Sequence, residues 1–160
     1  MTGPNERSPS TPIRIPIVAT EGELDQSFLD GMSLAQVEVN EDRGIDGRLL
    51  ETTLELGGVA ETGDRLRSAL AQSPPAVLVV GPAEAVVAAR PEIEASRTPV
   101  ILLGGDAYTG RDLHRYLFQT SVPFRWQARV LATYLHEDRG FDVVDLLSEG
   151  PDASLAEAFA

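Results

Sequence analysis

Three short runs constrain this chain more than anything else in it. Residues 13–19, 76–80 and 99–103 are almost unbrokenly apolar and rich in Val and Ile. Each is strand-sized, and apolar side chains at successive positions, rather than at every second one, mark strands covered on both faces. Stretches with helical spacing lie between them. Asp25 or Ser27 can cap a helix whose stripe is Phe28, Leu29, Met32, Ala35, Gln36 and Val39. Residues 40–47 read as a turn in which Gly44 and Gly47 take the positive φ that the reversal needs. Residues 49–56 set Leu50, Thr52, Leu54 and Leu56 against more polar partners, a half-buried strand towards a sheet edge.

The alternation continues. A cap at Thr62 or Asp64 opens a short helix through Leu66, Ala69 and Leu70, stopped by Pro74 and Pro75. Residues 83–96 read as a helix interrupted at Pro91, and 116–120 as a short fifth strand. Pro123 starts a long helix with Phe124, Ala128, Leu131, Ala132 and Leu135 on its stripe, ended near Gly140. Residues 141–147 read as a further strand and 153–160 as the start of a further helix. Residues 1–12 form a polar arm carrying Pro4, Pro9 and Pro12. Strand and helix in turn, with short connections, predict an α/β fold: an open, mostly parallel sheet flanked by helices, with right-handed crossovers.

Composition removes several functions. The 25 acidic residues outnumber 13 basic ones, a formal net charge of −12, against the clustered cations that nucleic acids and anionic membranes require. All 13 basic residues are Arg, so Schiff-base chemistry and a P-loop lysine are excluded. Cys is absent, which removes disulfides, thiolate nucleophiles and Cys-ligated metals. The arm has no apolar core of a signal peptide, and the apolar runs are far too short to span a bilayer. Neither nucleic acid nor membrane insertion is expected.

Catalytic motifs find no support. Gly31-Met32-Ser33-Leu34-Ala35 imitates a nucleophile elbow, but Ser33 lies inside the expected first helix rather than on a strand-to-helix turn. No Gly-x-Gly-x-x-Gly follows the first strand, so a dinucleotide cofactor has no phosphate-binding turn. His114 and His136 are far apart and belong to no metal-ligand motif. Neither a catalytic residue, a metal nor a cofactor is expected. Ligands of open α/β sheets sit outside the carboxyl ends of the strands. The residues there are Ala19-Thr20-Glu21-Gly22, Gly57-Gly58, Gly81-Pro82-Ala83-Glu84 and Gly104-Gly105-Asp106-Ala107, with Tyr108 next.

The segment from Gly31-Met32-Ser33-Leu34-Ala35 to Val39-Asn40-Glu41-Asp42-Arg43-Gly44-Ile45-Asp46-Gly47-Arg48-Leu49-Leu50-Glu51 resembles the amino-terminal lobe of type I periplasmic binding proteins. The closest likeness is to substrate-binding proteins of branched-chain amino acid ABC transporters. Ala76-Val77-Leu78-Val79-Val80-Gly81, Pro99-Val100-Ile101-Leu102-Leu103 and Tyr116-Leu117-Phe118-Gln119-Thr120-Ser121 fall in the family's order. The resemblance implies a Rossmann-like, non-catalytic lobe that binds a small polar ligand such as an amino acid, amide or amine. It implies an extracytoplasmic family role beside an ABC-transporter permease, whereas the absence of a signal peptide points to the cytoplasm if the amino terminus is native. The implied contacts are Thr20, Glu21, Ala83, Glu84, Gly105, Asp106, Ala107 and Tyr108.

The departures bear on specificity. The loop Gly81-Pro82-Ala83-Glu84-Ala85 lacks the hydroxyl with which amino-acid-binding members hold a carboxylate, and Asp106 stands near the position of another contact. Glu84 and Asp106 favour a cation or amine over an anion. The family order divides the chain into the arm, a ligand-binding lobe over 13–140, and the incomplete start of a second lobe over 141–160. That last segment is expected to dock back on the first lobe or to serve in a homodimer contact. The alternative reading is a single-lobe structural or regulatory interaction domain that has lost the small-molecule site.

Overall fold

A computed structural model describes residues 11–104 and 115–143. The elements run β1 (Ile13–Thr20), α1 (Gln26–Glu41), β2 (Leu50–Gly57), α2 (Val59–Ala71), β3 (Val77–Val80), α3 (Ala83–Ala88), α4 (Arg90–Ser96), β4 (Val100–Leu102), β5 (Leu117–Gln119) and α5 (Phe124–Thr133), closed by a π-helical turn over Tyr134–Asp138. The five strands lie in the order β2-β1-β3-β4-β5, and every pairing is parallel. The α/β sheet expected from the apolar runs is the architecture found, with β2 at an edge.

One face of the sheet holds the main core. Val18, Val77, Val79, Val100, Leu102 and Leu117 pack with Leu66 and Leu70 of α2, Val86 of α3 and Ile93 of α4. Because strand side chains alternate, the opposite face carries the intervening residues. There the register aligns Leu54, Ile17, Leu78, Ile101 and Phe118 in one row across all five strands. Apolar residues on both faces explain the unbroken runs. The second row is closed only at its centre: Ile17 is fully buried, while Leu54 and Phe118 at its ends are exposed.

Helix α1 is capped by Asp25, whose carboxylate accepts from the Phe28 N–H at 2.8 Å and from the Ser27 hydroxyl at 2.7 Å. These two bonds hold the Asp25 carboxyl below its ordinary pKa, the Ser27 contribution being the larger. At its other end α1 is tied to β2 by side chains. Asn40 Nδ2 donates to Leu50 O at 2.9 Å while Leu50 N–H donates to Asn40 Oδ1 at 2.7 Å. Gln36 Oε1 accepts from both the N–H and the hydroxyl of Thr52, at 2.9 and 2.6 Å. Asn40, which the sequence places in a turn, is thus a helical residue acting as a strand-edge cap. The reversal itself follows expectation, with Gly44 and Gly47 at φ +69° and +75°. A Cβ on Gly44 would collide with the Arg48 carbonyl.

The start of α2 differs from expectation. Helix α2 begins at Val59 behind Gly58, a full turn before Thr62 or Asp64. Gly58 caps with no side-chain bond, so no capping side chain marks that start, and Thr62 is instead a buried helix residue. The helix after Pro123 ends near Gly140 as expected, but its last turn is π-helical, α5 giving way at Tyr134. The break near Pro91 is borne out, as α3 and α4 meet at Ala89 and Pro91 sits in the first turn of α4. Residues 141–143 form no strand, and 144–160 lie outside the described residues.

Candidate functional site

Parallel strands deliver their carboxyl ends to one edge, and adjacency of β1, β3 and β4 brings Thr20, Gly81 and Gly104 together there. Strands β1, β2 and β3 are each followed by a short turn that leads directly into a helix. Glu21 N–H donates to Gly57 O at 2.9 Å, so the loop after β1 is tied to the tip of β2. Pro82 caps α3 through its extended backbone, Ala83 is the first helical residue, and Glu84 stands exposed in the first turn.

Thr20 is turned away from this edge. Its side chain belongs to the α2 face of the sheet and is 1% exposed. Its hydroxyl lies 2.7 Å from that of Thr62, which is fully buried in α2. Thr62 Oγ1 donates its single proton to Gly58 O at 3.2 Å, so Thr20 is the donor between the two hydroxyls. Gly81 completes the arrangement: a Cβ there would run into Thr20 Oγ1 and approach Thr62 Cγ2 at 3.5 Å. The tips of β1 and β3 and the first turns of α2 are therefore locked around one internal hydroxyl pair.

The positions expected to touch a ligand thus separate. Glu21 and Glu84 are exposed acids at the strand-tip edge, and Ala83 is half-buried there. Thr20 offers the edge no hydroxyl. Gly105, Asp106, Ala107 and Tyr108 lie outside the described residues. The structure adds one polar group that the sequence reading did not single out. Thr120, just after β5, is exposed; its N–H donates to Leu102 O at 3.1 Å, and its hydroxyl accepts the Gly104 N–H at 3.4 Å and donates to Leu102 O at a long 3.5 Å. Parallel β4–β5 pairing puts that hydroxyl beside the β4 tip. The signal in the sequence was the hydroxyl pair Thr120-Ser121 at the end of the short strand run over 116–119.

Chemically the edge offers exposed carboxylates, a hydroxyl and backbone groups. Among the described residues there is no cluster of His, Asp and Glu able to hold a metal ion, and no helix long and apolar enough to cross a membrane.

No protein-family model matches the sequence, and no curated protein matches it. Solved structures do. An ABC-transporter substrate-binding protein from Desulfitobacterium hafniense, also solved in complex with Leu, is similar at 26% identity and a TM-score of 0.68. That match covers 92% of this chain and 45% of the other. The branched-chain amino acid transporter substrate-binding protein LivJ of Streptococcus pneumoniae, in complex with isoleucine, is similar at 23% identity and a TM-score of 0.60, over 79% of this chain and 38% of that one. A fatty acid ABC-transporter substrate-binding protein from Thermomonospora curvata is similar at 18% identity and a TM-score of 0.69, over 93% and 40%. This chain therefore spans less than half the length of these proteins. Within that span, it has the type I periplasmic-binding-protein fold of branched-chain amino acid ABC-transporter substrate-binding proteins, as part of a single lobe.

Proposed function

We propose that residues 13–140 form a non-catalytic solute-binding lobe whose ligand sits against the carboxyl edge of the sheet. The observation that carries this reading is the convergence there of the β1, β3 and β4 tips, in a fold otherwise matched to substrate-binding proteins. The ligand is a small polar molecule with an amine or other cationic group. Glu21 and Glu84, both exposed at that edge, favour positive charge, and no hydroxyl follows β3 to hold a carboxylate. Thr120 supplies a hydroxyl from the β5 side, and residues 105–108 are assigned to the same site. In the corresponding role the partner is an ABC-transporter permease.

Thermal-shift screening of the chain against amino acids, polyamines and small amides tests the reading. A ligand-dependent rise in Tm that falls in the Glu21→Gln/Glu84→Gln double variant supports it. No response to any of these, either from the chain or from a longer polypeptide carrying a second lobe, overturns it.

One observation favours a second reading, an interaction domain without a small-molecule site. Thr20, the only hydroxyl in the tip segments of β1 and β3, is spent on an internal bond to Thr62 rather than offered to a cleft.

A further inference from the structure

One side of α5 and its closing turn is apolar and open. Trp126, Val130 and Tyr134 follow one another at i, i+4 and i+8, a single ridge along the helix, and are 62%, 68% and 44% exposed. Large apolar side chains set contiguously and this open mark a surface that another element covers. The hollow beside the ridge, about 910 Å³, is lined also by Arg129, Thr133 and Asp138. Arg129 is exposed and has no bonded partner among the described residues. Arg139 Nη1 donates to the Tyr134 hydroxyl at 3.2 Å, which sets a second guanidinium at the end of the ridge. The chain folds back at this end: Gly140 takes φ +70°, and Phe141 N–H donates to Leu135 O at 3.0 Å.

We propose that the ridge is covered by residues 144–160 of the same chain, which lie outside the described residues. This docking is independent of any ligand at the strand tips. The segment carries four acids, Asp145, Glu149, Asp152 and Glu157, and no base, opposite in sign to Arg129 and Arg139. Leu155 and Phe159 stand four apart with Ala156 beside them, which gives the helix expected over 153–160 one apolar side, behind Asp152 as its cap. Eight residues of helix measure about 12 Å, the same as the rise from Trp126 to Tyr134. The stretch 144–152 reaches about 30 Å when extended, enough to lay that helix anywhere along the ridge. A second copy or an unrelated partner would meet the same surface only at its own concentration. A segment on a short tether is present at an effective concentration on the order of millimolar, and so takes the ridge first.

Trp126 is the only Trp in the chain, so its fluorescence reads the ridge directly. In the full chain its emission is expected to be blue-shifted from that of free tryptophan and shielded from acrylamide, equally at every protein concentration. The Leu155→Glu/Phe159→Glu double variant shifts the emission to the red and restores quenching, and Arg129→Glu acts in the same direction. Amide protection in β1 and β3 stays unchanged in the double variant, which separates undocking from unfolding. Water-exposed emission from the full chain, shielding that grows with protein concentration, or shielding indifferent to both the Leu155/Phe159 and the Arg129 changes overturns the proposal. The second of these would assign the ridge to another copy of the chain, and the third to another segment.

Discussion

Thr20 and Thr62, 42 residues apart, bury their hydroxyls against each other at 2.7 Å where β1 meets α2. Neither could be buried alone at low cost, because an unpaired hydroxyl loses its water without replacement. The pair couples strand and helix.

Thr62→Val keeps the shape and removes the hydroxyl, leaving the Thr20 O–H without its acceptor. Urea unfolding is expected to register a loss of about 1–3 kcal/mol. The Thr20→Val/Thr62→Val double variant recovers much of that loss, because no polar group is then stranded. Additive costs in the double variant would show that the hydroxyls are not coupled.

Gly81→Ala brings a methyl group into the Thr20 hydroxyl, at a φ that Ala readily adopts, so the penalty is steric. Overpacking of this kind costs about 1–3 kcal/mol. Thr20→Ala removes the obstructing oxygen, and the double variant is expected to be less destabilised than the sum of the two single changes. Thermal melts of the four proteins check it.

Asn40→Ala strips the caps from both Leu50 N–H and Leu50 O, and is expected to cost about 1–2 kcal/mol. Hydrogen exchange locates the effect at the last turn of α1 and the first residues of β2. Unchanged exchange there would mean that water replaces Asn40 without loss.

The Asp25 cap makes the start of α1 pH-dependent. Its carboxyl is held below the ordinary value, chiefly by Ser27, so the folded protein binds that proton less readily than the unfolded chain. The stabilisation is therefore complete above the ordinary Asp range and is lost as pH falls through the lowered folded value. Amide exchange at Phe28 is expected to lose protection over that window, and Asp25→Asn, which caps without titrating there, removes the dependence.

Much of this fold was legible in the sequence because burial on both faces writes itself as unbroken apolar runs. Ile17, Val18, Val79 and Leu102 announced their strands in that way, and Asp25 announced α1 by its chemistry. Gly58 could not announce α2, since it caps with backbone alone, and Thr62 drew attention as a cap while its hydroxyl served an internal bond. The edge-capping of Asn40 and Gln36 was hidden for a similar reason: their partners are backbone groups on another element, which no local pattern records. Of the candidate site, the sequence located the strand tips, but not the inward turn of Thr20 or the hydroxyl of Thr120. A turn's composition does not say which side of the sheet a residue faces.

The π-helical turn that closes α5 has a consequence for chain length. Arg139 N–H bonds Tyr134 O, one residue further back than an α-helical bond, and Phe141 N–H bonds Leu135 O across Gly140, two residues further back. The helix thus carries a surplus residue before its stop. Removing one residue between 134 and 138 would draw the ending back to the ordinary repeat, while a similar deletion within α5 would rotate everything after it by about 100°. A single-residue deletion is therefore expected to be better tolerated at the end of this helix, where the spare residue sits, than within α5.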